Sequence, residues 1–196
     1  MLRDRPSELI RKLRLSPWSR SEFVGLCSGR DTSDDLERAR RLFCRLWMSI
    51  EGGFAKGPFR RHNGGRRNVT RDIRLGSLYR IARRLRSVVI EERDAFRLIA
   101  ELDSPDTLFY LDPPYVASTR TFSKMYSHEM TDDAHRSFID LIRSLKGQVV
   151  LSGYPSPLYT NLLENQGWQR VDKRAIVNNG GSRIESLWLS PAITKI

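Results

Sequence analysis

The chain has 196 residues, with 34 Lys and Arg against 23 Asp and Glu, a net charge of +11. That length supports one domain with a proper core, and no run of about 18 apolar residues is present to cross a membrane. The opening MLRDRPSELIRKL lacks the apolar stretch of a secretory signal, and Asp4 and Glu8 stand where a mitochondrial leader avoids acids. Cys27 and Cys44 are too few for a disulfide framework or a zinc site. A reduced, cytoplasmic setting is therefore expected, with both thiols acting as small buried hydrophobes.

Residues 5–14 predict a short helix. Leu36, Ala39, Leu42, Phe43, Leu46, Trp47 and Ile50 recur at helical spacing and predict a long one over 34–50, ended by Gly52-Gly53. Residues 52–70 read as a Gly- and Arg-rich loop, and 75–85 as a further helix. The positive charge is concentrated here. Residues 56–86 hold 11 basic residues and one acid, while the rest of the chain is nearly balanced. Ten of the 11 are arginines, suited to bidentate contacts with phosphate and guanine. A solvated basic face is the plain reading. A self-repelling block this one-sided fits a polyanion partner better, and the absence of a large apolar stripe points to nucleic acid rather than membrane.

Beyond residue 86 the pattern alternates. Ser87–Glu91 predicts a strand, Asp94–Leu102 a helix, and Thr107–Leu111 a buried strand that runs into Asp112-Pro113-Pro114-Tyr115. Residues 116–130 form a polar loop. Thr131 caps a helix to about Leu145, with Asp132 and Asp133 in its first turn. Gln148–Ser152 is the next strand and 156–165 a helix. Trp168–Val177 and Arg183–Leu189 follow as an antiparallel hairpin. The βαβα part implies a parallel sheet, so the fold class is α/β, preceded by a helical basic region.

The sharpest motif is Asp112-Pro113-Pro114-Tyr115, at the carboxyl end of a strand, where open α/β sheets bind ligands. Two prolines stiffen the backbone and remove two N–H donors. The Asp112 carboxylate and the Pro113 carbonyl remain as acceptors beside an aromatic ring, a set suited to a planar, amino-bearing ring. The competing reading is a rigid turn with Asp112 as a surface cap.

On this motif, together with LRDRPSELIRKL, Glu92-Arg93-Asp94-Ala95-Phe96, DSPDTLFYLDPPY, VVLSGYPSPLY and ESLWL in that order, the chain resembles the Dam-type DNA N6-adenine methyltransferases of bacteria and phages. The resemblance implies S-adenosylmethionine (SAM) as methyl donor, adenine in double-stranded DNA as acceptor, and base flipping to reach it. It places Asp112 and Pro113 on the adenine amino group, with Pro114 bracing the turn and Tyr115 stacking on the base. It assigns Asp94, with Ala95 and Phe96, to the cofactor. A helix N-cap is the equal alternative for Asp94, and a core position is the alternative for Phe96. Arg60, Arg61, Arg66 and Arg67 fall in the region corresponding to target recognition. Arg120 and Lys124, with Tyr126 and His128, fall in the loop that closes over DNA, for which a polar linker is the alternative. His135 is expected to be structural.

The family's Gly-rich cofactor turn and the acid-ended strand after it are not found. The expectation is therefore a Rossmann-like SAM-dependent methyltransferase fold lacking its first two strands, with residues 1–85 as the recognition region and 86–196 as the carboxyl-terminal part of the catalytic domain. In the implied strand order 3-2-1-4-5-7-6, strands 1 and 2 are missing. Strand 107–112 becomes an exposed edge, and the chain alone is expected to be weakly stable, to bind SAM poorly and to need a complementing amino-terminal fragment. Two other functions stand beside DNA adenine methylation: methylation of an exocyclic amine in RNA, and a non-catalytic DNA-binding remnant.

Overall fold

The computed structural model describes residues 1–29, 32–49, 58–60, 75–119, 129–176 and 182–193. They fall into two compact units, Met1–Ile90 and Glu91–Ile196. Among the described residues no helix is long and apolar enough to cross a membrane.

The first unit contains helices α1 (Pro6–Arg14), α2 (Arg20–Cys27), α3 (Asp35–Met48) and α4 (Ser77–Leu85). Pro6 opens α1, where a missing N–H costs nothing. Asp34 caps α3 by accepting the Leu36 N–H at 2.9 Å. Helix α2 was not expected from periodicity, because it buries only Phe23 and Leu26. Its signal is instead the Ser19-x-x-Glu22 start, in which Ser19 Oγ accepts the Glu22 N–H at 3.1 Å. The core joins Leu9, Ile10 and Leu13 of α1 to Phe23, Leu26, Leu36, Cys44, Met48 and Leu78. Cys44 is buried and Cys27 half-buried, and both are free thiols. Burial pushes the Cys44 thiol up.

The described acids of this unit are paired with its own cations. Glu37 binds Arg40 and Arg41 and lies near Lys12, and Arg40 also binds Glu22. The Arg40 hydrogen bond holds the Glu37 carboxyl down at about 2. Arg38 pairs with Asp35, and Arg5 with Glu8. Helix α4 differs. It buries Leu78 and Ala82 on one face and exposes Arg80, Arg83 and Arg84 on the other, with Arg86 just past its end. None of these four arginines meets a carboxylate among the described residues; Arg84 Nη1 donates to Ser87 Oγ at 3.1 Å.

The second unit is mixed α/β. Strands β1 (Leu108–Leu111), β2 (Gln148–Gly153), β3 (Gln169–Ile176) and β4 (Ser182–Leu189) form one sheet in the order β1-β2-β4-β3. β1 and β2 are parallel, and β4 runs antiparallel to both β2 and β3. The sheet is mixed and four-stranded, consistent with an α/β methyltransferase fold. Helices α5 (Ala95–Glu101), α6 (Asp132–Ser144) and α7 (Pro157–Leu162) complete the unit. The helix expected over 156–165 is divided: α7 ends at Leu162, and a 3-10 turn, Glu164–Gln166, follows before Gly167 in the left-handed region at φ 84°. Phe109, Val149, Leu151 and Trp188 of the sheet pack with Ile99, Phe138, Ile139 and Ile142 of the helices.

The β1–β2 register is fixed at its base. Asp103 accepts the Lys146 N–H at 2.9 Å and the Gly147 N–H at 3.0 Å. Gly147 lies so close to the start of β1 that a Cβ there would meet the Thr107 carbonyl oxygen at 2.8 Å. Gln148 N–H then donates to that carbonyl at 2.8 Å, and the ladder continues to Leu111 opposite Leu151.

One expected strand is absent. Residues 88–92 belong to no helix or ladder, and Val89 and Ile90 are 83% and 67% exposed. A strand needs a neighbour to take its backbone hydrogen bonds, and none of the described residues provides one. β1 pairs only with β2 among the described residues and exposes Leu108 and Tyr110.

Candidate functional site

The site begins where β1 ends. Leu111 opposite Leu151 sets Asp112 beside Ser152, one residue further along each parallel strand. Ser152 Oγ donates to Asp112 Oδ1 at 2.7 Å, with the Leu111 carbonyl at 3.4 Å. Ser152 is buried and Asp112 exposed, so the bond is anchored from the sheet side. It occupies one carboxylate oxygen and leaves the other without a partner among the described residues. The Pro113 carbonyl is likewise without a hydrogen bond among them. Pro113, Pro114 and Tyr115 are half-buried, and Val116 anchors the turn in the core at 4% exposure. The corner thus presents acceptors and no proline N–H.

The Tyr115 ring meets Tyr154 edge-on, with centroids 4.6 Å apart at 78°. Burial, followed by the nearby Asp112 charge, pushes the Tyr115 phenol up to about 12. It stays protonated and uncharged across neutral pH. The Arg183 guanidinium lies over the Tyr154 ring, 5.5 Å from its centroid. Tyr154 and Arg183 also line a cavity of about 740 Å³ with Ser118, Thr119, Pro155, Pro157 and Ile184. Residues 112–115 are not in its lining; Tyr154 joins the cavity to the corner.

The other expected site residues fall in different places. Asp94 caps α5, its Oδ1 accepting the Arg97 N–H at 3.0 Å. Its second oxygen has no partner among the described residues. Ala95 is exposed at the first turn of α5. Phe96 is half-buried, packed edge-on against Phe138 at 5.6 Å in the core. Asp94 thus acts as a helix cap and keeps one acceptor oxygen without a partner among the described residues, whereas Phe96 is engaged in the core. Arg60 is described: its N–H donates to the Met48 carbonyl at 2.6 Å, beside the Ser49–Phe59 bridge. Arg61, Arg66, Arg67, Arg120 and Lys124, with Tyr126 and His128, lie outside the described residues. His135 is fully buried, its Nδ1 3.1 Å from the Tyr159 hydroxyl, and this pair belongs to the core.

Sequence reasoning did not single out Ser152, Tyr154 or Arg183. Ser152 and Tyr154 stand at the end of VVLSGY, the strand after the motif strand, and that position was the available signal. Arg183 carried none, because its place depends on how the β3–β4 hairpin lies.

A family model described as D12 class N6 adenine-specific DNA methyltransferase matches residues 29–176. No curated protein matches the chain.

Proposed function

The chain belongs to the D12 class of N6 adenine-specific DNA methyltransferases, and from that membership we propose that its Asp112–Tyr115 corner carries methyl transfer to the N6 of a flipped adenine in duplex DNA, with SAM as donor. The observation that carries this reading is the hydrogen bond from Ser152 to Asp112. It fixes the carboxylate so that its open oxygen and the Pro113 carbonyl are two preorganised acceptors.

The chemistry follows from those acceptors. An aromatic amine is a poor nucleophile, because its lone pair is delocalised into the ring. Accepting both amino hydrogens favours a pyramidal nitrogen and stabilises the positive charge that grows on N6 during attack. The neutral Tyr115 ring offers a stacking surface and fixes the base in line. SAM, when bound, supplies the electrophilic methyl group, and the second Asp94 oxygen is the acceptor suited to its adenine. The arginine face of α4, which meets no carboxylate among the described residues, serves the phosphate backbone. The edge of β1, unpaired among the described residues, supports a further part of the reading, a complementing segment that pairs there as an added strand.

The test is methyl transfer to duplex DNA by the chain and by Asp112→Ala, with DNA affinity measured in parallel. With the complementing segment supplied, the expected result is N6-methyladenine from the native corner, and loss of transfer with DNA binding retained in the variant. Transfer that survives in Asp112→Ala removes the corner from the mechanism. Transfer confined to RNA favours the alternative substrate.

A further inference from the structure

Strands β3 and β4 outrun the sheet they belong to. The pairing of β2 with β4 ends at Gly153 opposite Ser186, which is level with Asp172 of β3. Beyond that level β3 and β4 pair on, from Lys173 opposite Glu185 to Ile176 opposite Ser182. Four further residues on each strand, at about 3.4 Å apiece, carry this two-stranded ribbon about 13 Å past the end of β2. It leaves from the carboxyl end of the parallel strands, the end at which β1 delivers Asp112 and β2 delivers Tyr154. Arg183 and Ile184 of the ribbon line the cavity that Tyr154 joins to the corner.

A ribbon of two strands is marginal by itself, and the charge of this one suits a polyanion. Nearer the core, Arg170 is paired with Glu164 and Asp172. Past the sheet, Lys173 and Arg174 are exposed and make no ion pair among the described residues. Arg183 is engaged with the Tyr154 ring. Resting on the functional reading above, we infer that the ribbon is a second DNA-contact surface, on which Lys173 and Arg174 meet phosphates of the duplex beside the target adenine. Its shape agrees with its charge. The major groove of B-DNA admits a two-stranded β-ribbon, whereas that of A-form RNA is deep and narrow. Successive residues point to opposite faces of a strand, so a ribbon in the groove presents one cation toward each bounding backbone. Glu185 stands opposite Lys173, but Arg174 stands opposite Ile184, with no acid across the ladder, and is the stronger contact.

The test is binding of the full chain to a labelled duplex, by fluorescence anisotropy between 50 and 200 mM salt. Lys173 and Arg174 are replaced together by Thr, which favours strands. The slope of log K against log salt should become shallower by about 1.8, equivalent to about 12-fold in affinity over that range. Arg174→Lys keeps the charge and should keep the slope. Lys146 is exposed at the opposite end of the sheet, just before β2, so Lys146→Gln should match the native slope. Circular dichroism verifies folding, and Arg174→Gln alone, expected to be shallower by about 0.9, decides the matter if the double variant unfolds. An unchanged slope overturns the proposal, as does an equal change in Lys146→Gln, which marks an effect of net charge, or a change confined to duplex RNA. Salt-dependent DNA binding with an unchanged slope sinks the ribbon alone. A chain that binds no duplex at 50 mM salt sinks the DNA reading and the ribbon with it, whereas methyl transfer surviving Asp112→Ala sinks the corner and leaves the ribbon standing.

Discussion

Replacing Arg80, Arg83 and Arg84 together by Gln isolates the electrostatic share of DNA binding. All three project from the exposed face of α4 without a carboxylate partner among the described residues. Two lie in the last turn, where they also complement the helix dipole; Arg80 lies earlier, and the dipole does not account for it. Gln matches Arg closely in helix propensity, so the buried Leu78–Ala82 face stays in place. Each phosphate contact contributes a slope of about −0.9 to log K against log salt, so three contacts contribute about −2.7. Between 50 and 200 mM salt that difference amounts to about 40-fold in affinity. The assay is fluorescence anisotropy of a labelled duplex over that range. The triple variant should bind more weakly at low salt, with a slope shallower by about 2.7. Arg38→Gln serves as the control, because Arg38 is already paired with Asp35, and its slope should match that of the native chain. A triple variant with an unchanged slope refutes the assignment of α4 to phosphate, whatever its affinity.

Two further predictions concern stability. Gly147→Ala places a methyl group 2.8 Å from the Thr107 carbonyl oxygen and 3.0 Å from that of Ser104, backbone atoms that cannot swing aside. A loss of about 1–3 kcal/mol is expected, read as a lower melting temperature, and an unchanged melting temperature contradicts the close approach. Glu37 sits at about 2 against an ordinary 4.5, through its hydrogen bond with Arg40. A carboxyl lowered on folding contributes stability that is fully present above about 4.5 and is lost as pH falls through about 2. After solvent screening its share is about 1–2 kcal/mol. Glu37→Gln should therefore be less stable in urea at pH 7, with the gap to the native chain closing toward pH 2. A gap that is constant with pH would show that the ion pair is not its source.

Much of the architecture is legible in the sequence because the signals are local. The caps Asp94 and Thr131 each accept a backbone N–H at the helix start they announce, whereas at α3 the cap is Asp34, one residue after the expected Ser33. The apolar runs LFYL and QVVLS become β1 and β2 because each combines strand length with a buried face. The segment Ser87–Glu91 has the same composition but not the outcome, since composition offers a strand and only a neighbour completes it. Helix α2 escaped periodicity because just two of its eight residues are buried. At the site, Asp112–Tyr115 was legible as a motif. Ser152, Tyr154 and Arg183 were not, because each acquires its role from cross-strand register, which no single stretch of sequence states.

That register links a glycine at one end of the sheet to chemistry at the other. Only a residue without a Cβ lets residue 147 approach Thr107 closely enough for Gln148 to donate to its carbonyl. From there the parallel ladder counts four pairs, ending with Leu111 opposite Leu151 and setting Asp112 against Ser152. The antiparallel ladder carries the alignment across: Ser152 lies opposite Leu187 and Gly153 opposite Ser186. A second close approach occurs here, because a Cβ at Gly153 would lie 3.3 Å from both the Trp188 and the Tyr159 rings. Leaving that space empty lets the strand end pass over the aromatic core and bring Tyr154 into contact with both Tyr115 and Arg183. A slip of one residue in either ladder would turn Ser152 or Arg183 to the opposite face. The acceptor corner and the cationic wall of the cavity therefore stand or fall on the same two hydrogen-bonded ladders.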